Sequence, residues 1–266
     1  MITQADIAHW QQRVPWPALE QVEQDLVLSR LIAEIANHPL LGNELVFRGG
    51  TCLHKLWLDR PWRYSEDLDY VRRSAGGIGT VLDAIRDIAG AVGFDQARTD
   101  VRQHPKVRLE STFVNGDRMR IKIEMNTFER SPARPTTSRR LNVDSPWFTG
   151  HADVSTFALE ELAATKIRAL FQRKKGRDLF DLWLTVEQAG VLPQDIAACF
   201  GTYRPNGWTE NRAFANLDAK LEDRAFAQDL SLLLPEWPAD YTVHAGAEVA
   251  KSIIQAIATN KARDER

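Results

Sequence analysis

The 266-residue sequence predicts an α+β fold, mixed through its first 150 residues and mostly helical afterwards. Three observations carry this reading. Short strand-like apolar runs alternate with helical ones before residue 150. A hairpin signal, Asn115-Gly116, joins two alternating runs. From residue 157 onward, apolar residues recur at helical spacing almost to the end. The predicted domains are residues 1–150 and 151–266, with the boundary in a proline-bearing segment.

Each element follows from local chemistry. Residues 18–37 place Leu19, Val22, Leu26 and Ala33 at helical spacing, and His38-Pro39 ends the run. ELVFRGG (44–50) reads as a short buried strand running into a glycine turn, and TCLHKLWL (51–58) as the helix after it. DLDYVRR (67–73) reads as the next strand, stopped by SAGGIG, and residues 79–93 as a helix closed by Gly93. Residues 106–129 alternate on both sides of Asn115-Gly116. Residues 130–150, with prolines at 132, 135 and 146, read as a long irregular connection. FALEELAATKIRALFQRKK (157–175) and RDLFDLWLTVEQAG (177–190) read as helices separated by Gly176. AEVAKSIIQAIA (247–258) reads as the last helix, and TNKARDER (259–266) as a fraying end.

Composition narrows the function. A hydrophobic fraction of 44% with 26% charged residues suits a soluble protein with a sizeable core. The net charge of −2 supplies no global field toward nucleic acid, so any such contact needs a local patch. Cys52 and Cys199 stand far apart in no metal-binding spacing and read as reduced thiols. The six histidines form no HExxH pattern. The N-terminus lacks a signal-peptide pattern, and no apolar run approaches the ~20 residues of a membrane span. The expected compartment is the cytoplasm, with no membrane partner.

The candidate chemistry centres on RYSEDLDYV (63–71). Strand alternation puts Ser65, Asp67 and Asp69 on one face and Leu68 and Tyr70 on the other. In RIKIEMN (120–126), Ile121, Ile123 and Met125 oppose Arg120, Lys122, Glu124 and Asn126. If the two strands are neighbours, Asp67, Asp69 and Glu124 converge. Gathered carboxylates repel unless protonated or neutralised by a cation, and hard oxygen donors suit Mg²⁺ or Mn²⁺. An isolated Asp-x-Asp reads first as a solvated strand face, and the neighbouring features change that reading. Gly49-Gly50-Thr51, ahead of a helix that carries Lys55, can let backbone approach an anion, or be only a tight turn. It matches neither GxxxxGK[ST] nor GxGxxG. Further on, Lys166 lies in a largely apolar helix, where its ammonium either snorkels out or meets an anion. Arg173, Lys174, Lys175 and Arg177 form a basic turn that reads as an ion-paired helical hairpin or as a patch for phosphates.

Taken in order, FRGGTCLHK, RYSEDLDYV, IKIEMN and LAATKIRALFQRKKGRDLFDLW resemble the AbiEii/AbiGii-type nucleotidyltransferases, which include the MenT toxins, in the DNA polymerase β-like superfamily. The resemblance implies an N-terminal polymerase β-like domain with a mixed sheet, followed by a helical part that completes the active site. It implies Gly49, Gly50, Thr51, Lys55 and Lys166 on the nucleotide, and Asp67, Asp69 and Glu124 on Mg²⁺ or Mn²⁺. Catalytic roles fall to Asp67, Asp69, Lys166 and Asp181, with Asp178 bracing the local structure. A nucleoside triphosphate is the implied substrate and RNA, through the 3′ end of tRNA, the implied acceptor, with Arg173, Lys174, Lys175 and Arg177 on its phosphates. A winged-helix antitoxin is the implied partner. Transfer to protein hydroxyls and a non-catalytic nucleotide-binding module are the alternatives.

Overall fold

The computed structural model describes residues 2–102 and 104–264, with side chains through 260. Its elements run α1 (Gln4–Gln11), α2 (Leu19–Asn37), α3 (Leu41–Glu44), β1 (Leu45–Arg48), α4 (Gly49–Cys52, continued by a π turn over Leu53–Trp57), β2 (Asp67–Arg72), α5 (Gly79–Val92), β3 (Gln96–Asp100), β4 (Lys106–Thr112), β5 (Arg118–Asn126), β6 (Thr137–Asp144) and β7 (Thr149–Thr156). There follow α6 (Leu159–Gln172), α7 (Gly176–Trp183, continued by a π turn over Leu184–Gln188), α8 (Pro193–Tyr203), α9 (Glu210–Leu221), α10 (Arg224–Gln228) and α11 (Val243–Asp264). Two compact units result. The first comprises the chain up to Ser131 together with Thr136–Phe157; the second comprises Pro132–Pro135 and the chain from Ala158 onward.

The first unit is built on one seven-stranded mixed sheet in the order β3-β4-β5-β2-β1-β7-β6. β2 lies antiparallel to β1 and parallel to β5, the arrangement that makes the two acidic strands neighbours. In that register Leu68 pairs with Ile123, which pairs onward with Val107, and all three side chains are fully buried. The same pleat turns Asp67, Lys122, Asp69 and Glu124 to the opposite face. α2 packs on β7, and α5 packs on β3, β4 and α2. In the second unit α6 packs on α7 and α8, while α11 packs on α7, α8 and α9.

Residues 130–150 are not an irregular connection: they contain β6 and the start of β7. The prolines flank these strands instead of interrupting them, with Pro146 in the turn between. β6 buries only Leu141 and Val143, and β7 buries Ala152, Val154 and Thr156, so neither carries the long apolar alternation that marks a strand. A boundary at residue 150 would cut β7, whereas the first unit ends at Phe157. The short α1 and the edge strand β3 add to the elements expected from periodicity. α11 continues through Thr259 to Asp264, where fraying was expected, and residues 265–266 of that tail lie outside the described residues. Both cysteines are buried, and neither forms a disulfide.

Because Ile123 is the middle member of the Leu68–Ile123–Val107 row, Ile123→Ala is expected to lower unfolding free energy by about 2–5 kcal/mol. Urea denaturation followed by circular dichroism measures this as a lower midpoint.

Candidate active site

β1 ends at Arg48, and Gly49 then turns the chain with a φ of 85°, a left-handed conformation that glycine adopts without a Cβ penalty. The turn lies against β2. A Cβ on Gly49 would fall 2.5 Å from Asp69 Oδ2 and 3.0 Å from Asp69 Cβ. A Cβ on Gly50 would fall 2.4 Å from a guanidinium nitrogen of the buried Arg63. Gly49 is therefore needed for close approach, a Cβ on Gly50 would displace the Arg63 guanidinium, and the turn sets where Asp69 can stand. The Thr51 hydroxyl donates to the Asp67 carbonyl at 2.6 Å and lies 2.9 Å from Ser65 Oγ, tying the turn to the start of β2.

Asp69 lies across from Arg48 on one side and Glu124 on the other. Burial pushes its carboxyl above the usual carboxylate range, opposed by Arg48, reinforced by Asp67, opposed by Lys122 and reinforced by Glu124. Lys122 Nζ is 3.0 Å from Asp67 Oδ2 and 3.6 Å from Glu124 Oε2. Burial works to lower the Lys122 pKa, but its hydrogen bond to Asp67 and the charges of Asp67, Glu124 and Asp69 leave it raised. Glu124 also pairs with Lys106 at 3.2 Å. Burial works to raise the Glu124 pKa, and these two lysines, with a contribution from His104, bring it below the ordinary value. Arg48 pairs with Glu129 at 2.6 Å.

The three expected metal-binding carboxylates thus share one face of two adjoining strands, interleaved with cations. Among the described residues no group of three or more His, Cys, Asp or Glu is gathered closely enough to cage a metal ion. The Asp67–Asp69 pair nevertheless fits Mg²⁺ by donor chemistry. These are hard oxygens, and Mg²⁺ is usually held by one or two carboxylates together with water and substrate phosphates. Glu124 faces Lys122 and Lys106.

Lys55, expected on the nucleotide, has partners within the first unit. Its ammonium pairs with Asp25 of α2 at 2.9 Å and donates to Ser29 at 2.8 Å, while Asp25 also accepts the Trp10 indole N–H at 2.9 Å. Asp25 and Ser29 are buried, so the lysine neutralises a desolvated acid and ties the helix after the glycine turn to α2.

The second unit resolves the position of Lys166. Its side chain is buried on α6, and Nζ lies 2.6 Å from Asp181 Oδ2 and 3.3 Å from Asp178 Oδ1. Both aspartates come from α7 and are fully buried. Asp178 also accepts Arg173 Nε at 2.7 Å and a terminal guanidinium nitrogen at 2.8 Å. Burial works to raise the Asp178 pKa, and the Lys166 charge with the Arg173 bond outweighs it, so the carboxyl is held below the ordinary value. Asp178 pairs with Lys166 and Arg173, and Asp181 pairs with the Lys166 ammonium. The basic turn is ion-paired throughout: Arg173 with Asp178, Lys174 with Asp223, Lys175 with Asp229 at 3.3 Å, and Arg177 with Asp229 at 4.0 Å. That is the hairpin reading, and it leaves these cations partly neutralised for any phosphate.

Sequence reasoning did not single out Arg48 or Lys122. Alternation in RIKIEMN places Lys122 on the Glu124 face, and FRGG places Arg48 next to the turn, so both signals were present without a partner strand to interpret them.

A mixed sheet with a glycine turn packed on an Asp-x-Asp strand defines a nucleotidyltransferase-like protein, and solved structures share its fold. MenT4, a nucleotidyltransferase toxin from Mycobacterium tuberculosis, aligns with a TM-score of 0.62 at 19% identity over 97% of this chain and 90% of that one. JHP933 from Helicobacter pylori aligns with a TM-score of 0.59 at 15% identity, covering 93% and 96% respectively. A putative nucleotidyltransferase from H. pylori gives 0.59 at 16%, covering 94% and 99%. Among curated protein sequences none matches. The profile of the family described as "Nucleotidyl transferase AbiEii toxin, Type IV TA system" matches residues 30–246. The chain belongs to this family and is a nucleotidyltransferase toxin of the toxin–antitoxin type. Among the described residues no helix is long and apolar enough to cross a membrane.

Gly49→Ala is expected to push Asp69 out of place and to cut nucleotide transfer by about 100-fold or more, beyond what its loss of stability explains. Steady-state transfer rates compared with thermal melts separate the two effects. Asp178→Asn is expected to cost about 3 kcal/mol at neutral pH, because it leaves the buried Lys166 short of a partner. Since the folded Asp178 pKa lies below its unfolded value, its contribution is complete above about pH 4 and is lost as pH falls through the folded value. Urea titrations should therefore show wild type and variant converging on acidification.

Proposed function

We propose that the protein transfers a nucleoside monophosphate from a nucleoside triphosphate to RNA, at the 3′ end of tRNA, in a reaction dependent on Mg²⁺ or Mn²⁺. The observation that carries this reading is the Asp67–Asp69 pair on β2 with the Gly49 turn pressed against Asp69. The pair would hold the divalent ion, with Glu124 beside it. A bound ion of this kind neutralises triphosphate charge and activates the acceptor hydroxyl. The turn's own contribution is backbone: the first N–H groups of a helix have no intrahelical partner, so those of Gly49, Gly50 and Thr51 suit phosphate oxygens. The Thr51 hydroxyl, bonded to the Asp67 carbonyl, positions the metal-binding strand.

In the second unit we read Lys166 as the cation for nucleotide phosphates. Two buried carboxylates lie against its ammonium and restrict its rotamers, which suits a lysine whose task is electrostatic. Arg173, Lys174, Lys175 and Arg177 are the cations assigned to acceptor phosphates, with their carboxylate partners competing for the same charge. Reduced, buried thiols accord with a cytoplasmic site of action. The antitoxin that such a family implies is read as a winged-helix protein.

Purified protein incubated with each labelled triphosphate and either total tRNA or cell protein tests the acceptor. Label in tRNA is the expected result, located at the 3′ end by RNA sequencing; label only in protein overturns the RNA reading. Asp69→Asn should abolish transfer and growth inhibition while keeping the wild-type circular dichroism spectrum, and full activity would remove Asp69 from the metal site. Lys166→Met should lower transfer by about 100-fold or more through lost charge stabilisation.

A further inference from the structure

The face that carries Asp67, Asp69 and Glu124 is already furnished with a cation. Lys122 lies directly across from Asp67 in the β2–β5 register, and its ammonium bridges Asp67 and Glu124 at 3.0 and 3.6 Å. Along the sheet the charges alternate: Asp67, Lys122, Glu124, Lys106, each within ion-pair distance of the next. Lys122 is anchored on the central region of the sheet, between the buried Ile121 and Ile123, so its backbone cannot be withdrawn. Only its four-carbon stem is free to carry the ammonium elsewhere.

We infer that Lys122 is an internal counter-ion that holds the carboxylates together without a metal and competes with the divalent ion for Asp67. This rests on the metal reading proposed above. The physical reason is that one oxygen cannot serve an ammonium at 3.0 Å and a small dication at close range without strong repulsion between the two cations. Metal entry therefore requires the ammonium to leave Asp67. The pair is about one-third exposed on the lysine side and two-fifths on the aspartate side, so screening keeps the competing bond weak enough to be displaced. Lys122 thereby sets the divalent concentration at which the site fills.

The test is direct Mn²⁺ binding, read by electron paramagnetic resonance and calorimetry without nucleotide, for wild type, Lys122→Met, Lys122→Arg and Asp67→Asn. Lys122→Met should bind Mn²⁺ tighter, by up to about fivefold, because an ion pair worth up to ~1 kcal/mol no longer opposes it. In EDTA its melting temperature should fall below that of wild type, and Mn²⁺ should raise it by a larger increment. Lys122→Arg, which keeps the charge, should bind Mn²⁺ within about twofold of wild type and serves as the control for folding. Unchanged or weaker Mn²⁺ binding by Lys122→Met, with wild-type binding abolished in Asp67→Asn, overturns the competition and leaves the metal reading standing. Mn²⁺ binding unaffected by Asp67→Asn, or undetectable in wild type and Lys122→Met alike even after a non-hydrolysable triphosphate is added, overturns the metal reading and the competition with it.

Discussion

Carboxylates crowded onto one sheet face repel each other, and most of the first unit's local architecture answers that repulsion. Asp69 bears the greatest load, since burial and two acidic neighbours all disfavour its charge. Arg48 from β1 and Lys122 from β5 supply opposite charge from the two adjoining strands, and Lys106 from β4 does the same for Glu124. The mixed strand order makes this balance possible, because β2 has an antiparallel neighbour on one side and a parallel one on the other. Without the Leu68–Ile123–Val107 row behind it, the polar face would have no rigid backing.

The second unit solves a related problem by deeper burial. Lys166 is desolvated on α6, and two aspartates from α7 pay for its charge. A buried ammonium held by two carboxylates is costly to assemble and costly to break, so α6 and α7 are locked in register by electrostatics as well as by packing. Gly176 at the start of α7 permits the close approach of α10, whose Phe226 carbonyl lies 2.3 Å from where a Cβ would stand. Lys220 of α9 adds to this order, donating to the carbonyls of Leu170 and Phe171 at the end of α6. Burial lowers its pKa to about 8.

Much of the candidate site was legible because strand alternation is a local rule. It placed Asp67 and Asp69 on one face and Glu124 on the corresponding face of another strand, and pairing of β2 with β5 then made them neighbours. Lys55 shows where the local rule stops. Its position one turn after Thr51 is local, whereas its partner Asp25 lies thirty residues earlier, on a helix whose docking no spacing reveals. β6 and β7 were illegible for another reason. Their apolar content is low and small-residue, and they become strands only because a preceding sheet supplies the hydrogen-bond edge.

By itself the sequence determined the α+β class, the hairpin at Asn115-Gly116, the helical second half, and which side chains share a strand or helix face, because these follow from periodicity and turn chemistry within a few residues. Tertiary structure alone decided the strand order, the limit of the first unit at Phe157, the pairing of Lys55 with Asp25, and the placing of Arg48 and Lys122 around the acids. Those outcomes depend on which distant segments meet, and Coulomb forces between side chains are set by distance in space rather than by separation along the chain.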